Sequence, residues 1–230
     1  MTKSGLVHNS SGSYIAIGDI HGCLKTLQAL LEDLISEFGR ERTFIFLGDY
    51  VDRGPDSKGV IDFLLEFKTE YNCIFLRGNH DAMLLNFVED QSWFAWFENG
   101  GADTMESYRK ALGEEKIPTD HLRFFTETIL FLDTPDYFFV HGGPPVEQTI
   151  AESITNEQVY SSFLWSRDHL NSTYNKWEKT VVFGHTPVRS PIQEEKMIGI
   201  DTGCVYPQFG KLTAVSLPER QFFQQKRIDF

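Results

Sequence analysis

The chain has 230 residues, of which 41% are hydrophobic, and its formal net charge is -12. This length and composition suit one sizeable core, so we expect a single catalytic domain over residues 14–230 after a loose tail, 1–13. The acidic surface argues against a general binder of nucleic acid or of anionic membranes. The three cysteines form no CxxC pair, and no apolar run reaches signal-peptide or membrane length. We therefore expect a cytoplasmic protein with no membrane partner.

The first ninety residues are predicted to form three strand–loop–helix units. The strand-like segments are 13–19, 42–49 and 73–81. The helix-like segments that follow them are 24–38, 60–67 and 82–88. This alternation is typical of a βαβ core with a largely parallel sheet. Ligands of such sheets lie beyond the carboxyl ends of the strands, where this sequence places its polar clusters.

The second half of the chain is predicted to be richer in strands. Its strand-like segments are 129–132, 137–140, 181–183, 197–200, 212–217 and 221–225. Several lie too close together for a crossover helix, so we expect antiparallel pairing among them. Between the halves, residues 91–113 are predicted to be helical. Their aromatic side chains at 93–97 either pack on the sheet or form a wall that stacks on a substrate group.

Six polar residues at strand ends could hold metal ions: Asp19, His21, Asp49, Asn79, His141 and His185. Each one alone also fits a turn, a helix cap or a buried histidine. Their recurrence beside glycines at successive strand ends favours a shared site. Carboxylate, imidazole and amide ligands suit Mn²⁺, with Fe²⁺, Zn²⁺, Co²⁺ or Ni²⁺ as alternatives. Six ligands exceed one tetrahedral site with an open position, so we expect two divalent ions that share a carboxylate.

Five short segments resemble, in order, the motifs of metallophosphoesterases. They are GDIHG (18–22), GDYVDRG (48–54), GNHD (78–81), HGG (141–143) and GHTP (184–187), and IDTGC (200–204) extends the match. More narrowly, the set resembles the phosphoprotein phosphatase superfamily, and within it the bacterial and phage serine/threonine protein phosphatases. The resemblance implies an α/β (α+β) fold, a four-layer αββα sandwich of mixed sheets with the site at the strand ends.

The resemblance also implies a role for each matching residue. The implied metal ligands are Asp19 and His21 for the first ion, Asp49 as the bridge, and Asn79, His141 and His185 for the second. The implied catalytic residues are His80 as general acid, Asp52 as the residue that orients it, and Arg53 as a phosphate-binding arginine. Arg167, in LWSRD (164–168), matches a second such arginine of the bacterial and phage members.

The activity that the resemblance implies is hydrolysis of phosphoserine or phosphothreonine, with phosphotyrosine as a further option. The attack comes directly from a hydroxide that bridges the two ions. The partner is then a phosphorylated protein or a small phosphorylated substrate. The alternative is a diadenosine tetraphosphate, or dinucleoside polyphosphate, hydrolase. His21 and the Asp52-Arg53-Gly54 triplet favour the protein phosphatase over the symmetrically cleaving hydrolases.

Other classes fit the sequence less well. No cysteine stands in a Cys-x5-Arg motif, which excludes a cysteine-dependent phosphatase, and no GxxxxGK[ST] motif marks a P-loop. A non-catalytic metal-binding module is disfavoured because the ligands and the implied acid are all present.

Overall fold

The computed structural model of the chain describes residues 4–8, 12–90 and 93–230. Its strands are β1 (Leu6–Val7), β2 (Tyr14–Ile17), β3 (Thr43–Phe46), β4 (Cys73–Phe75), β5 (Phe131–Asp133), β6 (Tyr137–Val140), β7 (Thr180–Phe183), β8 (Ile192–Gln193), β9 (Met197–Gly199), β10 (Lys211–Leu217) and β11 (Gln221–Lys226). Its α-helices are α1 (Leu24–Phe38), α2 (Ser57–Glu70), α3 (Asn79–Asp90), α4 (Trp93–Trp96), α5 (Ala102–Leu112), α6 (Thr119–Glu127), α7 (Ile150–Ile154) and α8 (Ser162–Trp165). A π-helical segment, Phe97–Gly101, joins α4 to α5, and short 3-10 helices cover Glu157–Val159 and Asp168–Leu170.

The strands form two mixed sheets with the orders β11-β10-β2-β3-β4 and β1-β5-β6-β7-β9-β8. As predicted, β2, β3 and β4 run parallel. The antiparallel pairing expected in the second half is found for β5–β6, β8–β9 and β10–β11. β7 and β9 pair in parallel instead, and so do β6 and β7, which are too far apart in the chain to fall under that expectation. The connection from β6 to β7 carries α7 and α8, so it is long enough to cross over.

Alternate side chains of each central strand face different cores. Ile15 and Ile17 pack with buried residues of α1 and α2, whereas Tyr14 and Ala16 pack between the two sheets. This is the period of two expected of a strand buried on both faces. A third core lies on the other side of the second sheet, where Phe138 packs with residues of α7 and α8. The layers are therefore helix, sheet, sheet and helix, which confirms the predicted αββα sandwich.

Two element boundaries differ from the sequence prediction. Leu6–Val7, inside the predicted loose tail, pairs in parallel with β5. GNHD is not the end of a strand: β4 stops at Phe75 and α3 begins at Asn79. Parts of the predicted tail (1–3 and 9–11) and the start of the predicted 91–113 helix (91–92) lie outside the described residues. Among the helices of the described ranges, none combines the length and the apolarity needed to cross a bilayer.

Candidate metal centre

The six predicted ligands converge at one end of the two sheets. Asp19 and His21 follow β2, Asp49 follows β3, Asn79 opens α3, His141 follows β6, and His185 follows β7. Because β2, β3 and β4 are parallel, as are β6 and β7, their carboxyl ends lie at the same edge of each sheet. None of the six residues is more than 7% exposed.

The loops that carry these ligands have an unusual backbone. His21, Asp49 and His185 have φ angles of 47°, 53° and 66°, and Asp52 and Arg53 have φ angles of 74° and 70°. Among the described residues, only one other non-glycine residue, Arg220, has a positive φ. This left-handed conformation disfavours side chains with a Cβ and costs of order 1 kcal/mol or more at each position. Such strain clusters at functional sites, which supports a shared role for these loops.

Two glycines let the loops after β3 and β4 touch. Gly48 has a φ of 106°, and a Cβ there would collide with the backbone nitrogen of Gly78. A Cβ on Gly78 would in turn collide with Asp49 Oδ1. Because neither glycine carries a side chain, Asp49 lies directly against the loop that presents Asn79.

Asp49 is shared by two groups of possible metal ligands. One group contains His21 and His80, the other contains His141 and His185, and the ligand atoms within each group lie within 4.8 Å of one another. Asp49 Oδ2 is 3.5 Å from His21 Nε2 and 3.4 Å from His141 Nε2. A carboxylate between two imidazole groups has the position that a bridging ligand needs.

Asp19 lies beside these groups rather than in either of them. Its carboxylate oxygens accept hydrogen bonds from the backbone nitrogen of His185 at 3.2 and 3.1 Å. Burial and the nearby Asp201 carboxylate raise the pKa of Asp19 well above its ordinary value. A buried carboxylate that resists ionisation in this way is stabilised as an anion when a cation binds beside it.

Hydrogen bonds fix which nitrogen each histidine points toward Asp49 and Asn79. His21 Nδ1 lies 2.8 Å from the Val51 carbonyl oxygen, and His141 Nδ1 lies 2.9 Å from the Leu47 carbonyl oxygen. When Nδ1–H donates to these carbonyls, Nε2 carries the free lone pair. Backbone acceptors of this kind hold the tautomer and ring orientation of metal-binding histidines.

The third histidine uses its other nitrogen. His185 Nε2 lies 3.2 Å from the Trp165 carbonyl oxygen, and Nδ1 lies 2.8 Å from Asn79 Oδ1. The same Asn79 oxygen is 2.9 Å from His141 Nε2. Two imidazole nitrogens and one amide oxygen therefore meet at a single point, which fits a divalent cation.

Burial and neighbouring charges set the protonation of the cluster. Burial lowers the pKa of both His21 and His185 to about 3, so both rings are neutral, as metal ligation requires. Burial is the largest single effect on Asp49 and His141 and acts against their charge, but the attraction of several neighbours together outweighs it. His141, His80 and His21 hold the pKa of Asp49 well below its ordinary value, and Asp49 and Asp19 raise that of His141 to about 10.

His80 and Asp52, which the sequence analysis predicts to be the general acid and the residue that orients it, lie in contact. His80 Nδ1 lies 2.7 Å from Asp52 Oδ2, and both side chains are buried. Two further donors hold the same carboxylate. Trp96 Nε1 donates to Oδ1 at 3.0 Å and to Oδ2 at 2.9 Å, and Thr104 Oγ1 donates to Oδ1 at 2.7 Å.

Trp96 and Thr104 are functional candidates that the sequence analysis missed. Trp96 is fully buried, as in the packing interpretation of the aromatic stretch, but its indole N–H also binds Asp52. Trp93 and Phe94 are 57% and 67% exposed. The contact between Trp96 and Asp52 joins residues 44 positions apart, so no short sequence motif could have predicted it.

The two predicted phosphate-binding arginines lie beside different ligands. Arg53 Nη1 is 2.9 Å from His21 Nε2, so its guanidinium occupies a place where a cation at this ring would bind. Its Cζ is 5.5 Å from the centroid of the Tyr206 ring. Arg167 Nε donates to Thr186 Oγ1 at 3.2 Å, next to His185.

Two aspartates without an assigned role also belong to the site. Asp81 accepts hydrogen bonds from the backbone nitrogens of Gly78, Asp49 and Tyr50 at 2.8, 2.9 and 3.2 Å, so it fixes the loops after β3 and β4. Asp201 follows β9 and is 5% exposed. Burial raises its pKa to about 6. Its place after a strand, in IDTGC, was the signal that could have found it.

Comparisons with known proteins agree with this architecture. The family model described as "Calcineurin-like phosphoesterase" matches residues 13–212. A curated bis(5'-nucleosyl)-tetraphosphatase PrpE [asymmetrical] from Oceanobacillus iheyensis is 30% identical over 228 residues, covering 90% of this chain and 89% of the relative. The protein of the same name from Bacillus subtilis is 26% identical, over 94% of this chain and 98% of the relative.

Solved structures with the same fold carry different names. A crystal structure of a protein described as a candidate diadenosine tetraphosphatase is 25% identical, with a TM-score of 0.70 and coverage of 99% of this chain and 100% of that one. A protein serine/threonine phosphatase from Saccharomyces cerevisiae aligns with a TM-score of 0.63 at 16% identity, over 100% of this chain and 85% of that one. The second likeness is one of fold alone.

These comparisons show that the predicted serine/threonine protein phosphatase activity is wrong, since the curated relatives are named tetraphosphatases. The error has an identifiable source. His21 and the Asp52-Arg53-Gly54 triplet were contrasted with symmetrically cleaving hydrolases, whereas these relatives are named asymmetrical. The triplet also contains Asp52 and Arg53, whose predicted roles toward the general acid and the phosphate would serve a monoesterase and an anhydride hydrolase equally.

Proposed function

The chain belongs to the calcineurin-like phosphoesterase family, and we propose that it hydrolyses bis(5'-nucleosyl) tetraphosphates asymmetrically. The observation that carries this proposal is the likeness to the Oceanobacillus PrpE along nearly the full length of both chains. Asymmetrical hydrolysis breaks one terminal phosphoanhydride of the tetraphosphate. From diadenosine tetraphosphate it releases ATP and AMP, whereas symmetrical hydrolysis releases two molecules of ADP.

Six residues would hold two divalent ions in the proposed enzyme: Asp19, His21, Asp49, Asn79, His141 and His185. Their oxygen and imidazole donors fit Mn²⁺, with Fe²⁺, Zn²⁺, Co²⁺ or Ni²⁺ as alternatives, and His141 would release its proton when an ion binds. When bound, such ions polarise a phosphoryl group and lower the pKa of water, which is the chemistry that hydrolysis requires. The placement of Asp49 in both groups of ligand atoms supports a bridging role.

Arg53 and Arg167 would bind the non-bridging oxygens of the substrate. A guanidinium is planar and presents paired donors that match phosphate, so these side chains orient as well as attract it. Since Arg53 lies beside His21 and Arg167 lies beside His185, the two guanidinium groups flank the cluster. They supply local positive charge although the whole chain has a net charge of -12.

His80 would protonate the departing phosphate oxygen. Burial lowers its pKa to about 4, so the ring is neutral in the absence of substrate. The negative charge of a bound polyphosphate favours the imidazolium, as does an ionised Asp52 at its Nδ1. Nε2 can then donate a proton as the bond between phosphorus and the bridging oxygen breaks. The oxygen of water forms the new bond to phosphorus, and the two nucleotides leave.

Product analysis tests this proposal. The Mn²⁺-loaded protein is incubated with diadenosine tetraphosphate, and the nucleotides are separated by anion-exchange chromatography. We expect ATP and AMP in equal amounts. ADP as the sole product would refute the asymmetrical split. Absence of any nucleotide product from a metal-loaded, folded preparation would refute the proposed function as a whole.

A further inference from the structure

The segment between β6 and β7 carries a large aromatic side chain that the mechanism above does not use. Building on the proposed function, we propose that the indole of Trp165 stacks on the nucleobase of the nucleotide next to the bond that breaks. Trp165 would then be a specificity-determining residue of this site, with a nucleobase as its ligand.

The backbone of Trp165 is fixed against both histidine loops of the second sheet. Gly142 and Gly143 donate backbone hydrogen bonds to the carbonyl oxygens of Phe163 and Ser162, at 2.6 and 3.2 Å. A Cβ on Gly142 would lie 3.0 Å from the Trp165 nitrogen, so the glycine permits this close approach. On the other side, the Trp165 carbonyl accepts from His185 Nε2 at 3.2 Å.

The side chain of the same residue faces outward. Trp165 is 46% exposed, although its main chain contacts the loops of two buried metal-ligand candidates. Its ring centroid lies 6.1 Å from that of His185, with the two planes at 85°. Exposing a large aromatic surface in water is unfavourable, whereas stacking a flat ligand on it is favourable.

The chemistry of the substrate places a base at this distance. In an asymmetrical split, a single phosphate lies between the bond that breaks and the nearer nucleoside, so the base of that nucleoside must lie close to the cluster. Arg167, two residues after Trp165, is held by Thr186 beside His185 and can bind that phosphate. An indole and a guanidinium on one short segment match the base and the phosphate of one nucleotide.

Trp93 and Phe94 form a second exposed aromatic pair, 57% and 67% accessible. Their helix reaches the site through the buried Trp96, which binds Asp52. The ring of Trp93 packs against Phe94 and Phe97 of its own segment. The observations therefore favour Trp165 as the base platform and make Trp93 a suitable control.

The test compares Trp165→Ala, Trp165→Phe and the control Trp93→Ala on two substrates, diadenosine tetraphosphate and inorganic tripolyphosphate. Loss of one base-stacking contact is worth about a 5- to 100-fold rise in KM. We expect that rise for Trp165→Ala on diadenosine tetraphosphate alone, with most of the affinity kept in Trp165→Phe. A KM within twofold of wild type would overturn the inference. So would an equal rise on tripolyphosphate, or a rise in Trp93→Ala instead.

A binding measurement separates this inference from the proposed function. AMP is titrated into the Mn²⁺-loaded protein while tryptophan fluorescence is followed, in wild type and in Trp165→Phe. We expect quenching that is lost in the variant. If the wild-type protein does not split diadenosine tetraphosphate but shows this quenching, the proposed function is refuted, whereas the stacking of a nucleobase on Trp165 is supported. Equal quenching in both proteins, or none in wild type, refutes the platform.

Discussion

Replacing Trp96 by phenylalanine tests how the acid pair is held. The ring stays large and apolar, but the N–H that reaches both oxygens of Asp52 at 3.0 and 2.9 Å is lost. Burial raises the pKa of Asp52, while the hydrogen bonds from Thr104 and Trp96 lower it. A hydrogen bond to a charged group contributes about 1.5–3 kcal/mol. Removing it should therefore raise the pKa of Asp52 further.

The assay is the pH profile of kcat/KM for diadenosine tetraphosphate. If Asp52 must be ionised to orient His80, the acid limb should move to higher pH. At a pH on that limb, the rate should fall about 10- to 100-fold. Thr104→Val should shift the limb in the same direction, and Thr104→Ser should restore it.

The matched control is Trp93→Phe, which makes the same change at an exposed position in the same helix. We expect its pH profile to equal that of wild type. If the rate of Trp96→Phe fell equally at every pH and the acid limb kept its wild-type position, Trp96 would contribute packing alone. The reasoning about Asp52 would then be refuted.

Three further predictions concern the metals and the fold. Asp49→Ala should lower the content of both metal ions, because Asp49 belongs to both ligand groups. Elemental analysis of the purified protein measures this, with Asp62→Ala, at a half-exposed position, as the control. Two equivalents of metal per chain in Asp49→Ala would contradict the prediction. Asp81→Ala should lower the free energy of unfolding, measured with urea, by about 3 kcal/mol or more, because three buried backbone N–H groups lose their acceptor. A decrease below about 1 kcal/mol would show that Asp81 does not anchor these loops. His169 is buried without a hydrogen-bond partner, and burial lowers its pKa to about 4. As the pH drops from about 6.5 to 4, this imidazole is therefore protonated in the unfolded chain but not in the folded one, and the free energy of unfolding falls. The whole effect is about 3 kcal/mol, and His169→Leu should remove that part of the pH dependence.

Much of the site follows from short segments of the sequence. Strand ends can be predicted because an apolar run stops at a polar cluster, as at Asp19 and Asp49. Parallel strands then bring such ends together, so the ligand set can be inferred without knowing the loops. The register and the layers follow from the alternation along each strand, such as Tyr14 and Ile15 on β2.

The rest depends on contacts between residues distant in the chain. Trp96 and Thr104 meet Asp52 across 44 and 52 positions, through a π-helical turn whose Gly100 has a φ of 107°. Periodicity does not report such a turn. Likewise, GNHD looks like the end of a strand because β4 is apolar, yet Asp81 binds three backbone nitrogens and so stabilises the first turn of a helix.

The substrate could not be read from the motifs for a physical reason. The motif residues surround the phosphoryl group under attack, and that group is the same in a phosphomonoester and in a phosphoanhydride. The difference between the two substrates lies beyond the departing oxygen, in a peptide or in a nucleotide. The side chains proposed to reach there, Trp165 and Arg167, lie in the connection between β6 and β7 and outside its HGG motif. A serine/threonine phosphatase can therefore share the fold at 16% identity with a chain for which we propose a different substrate.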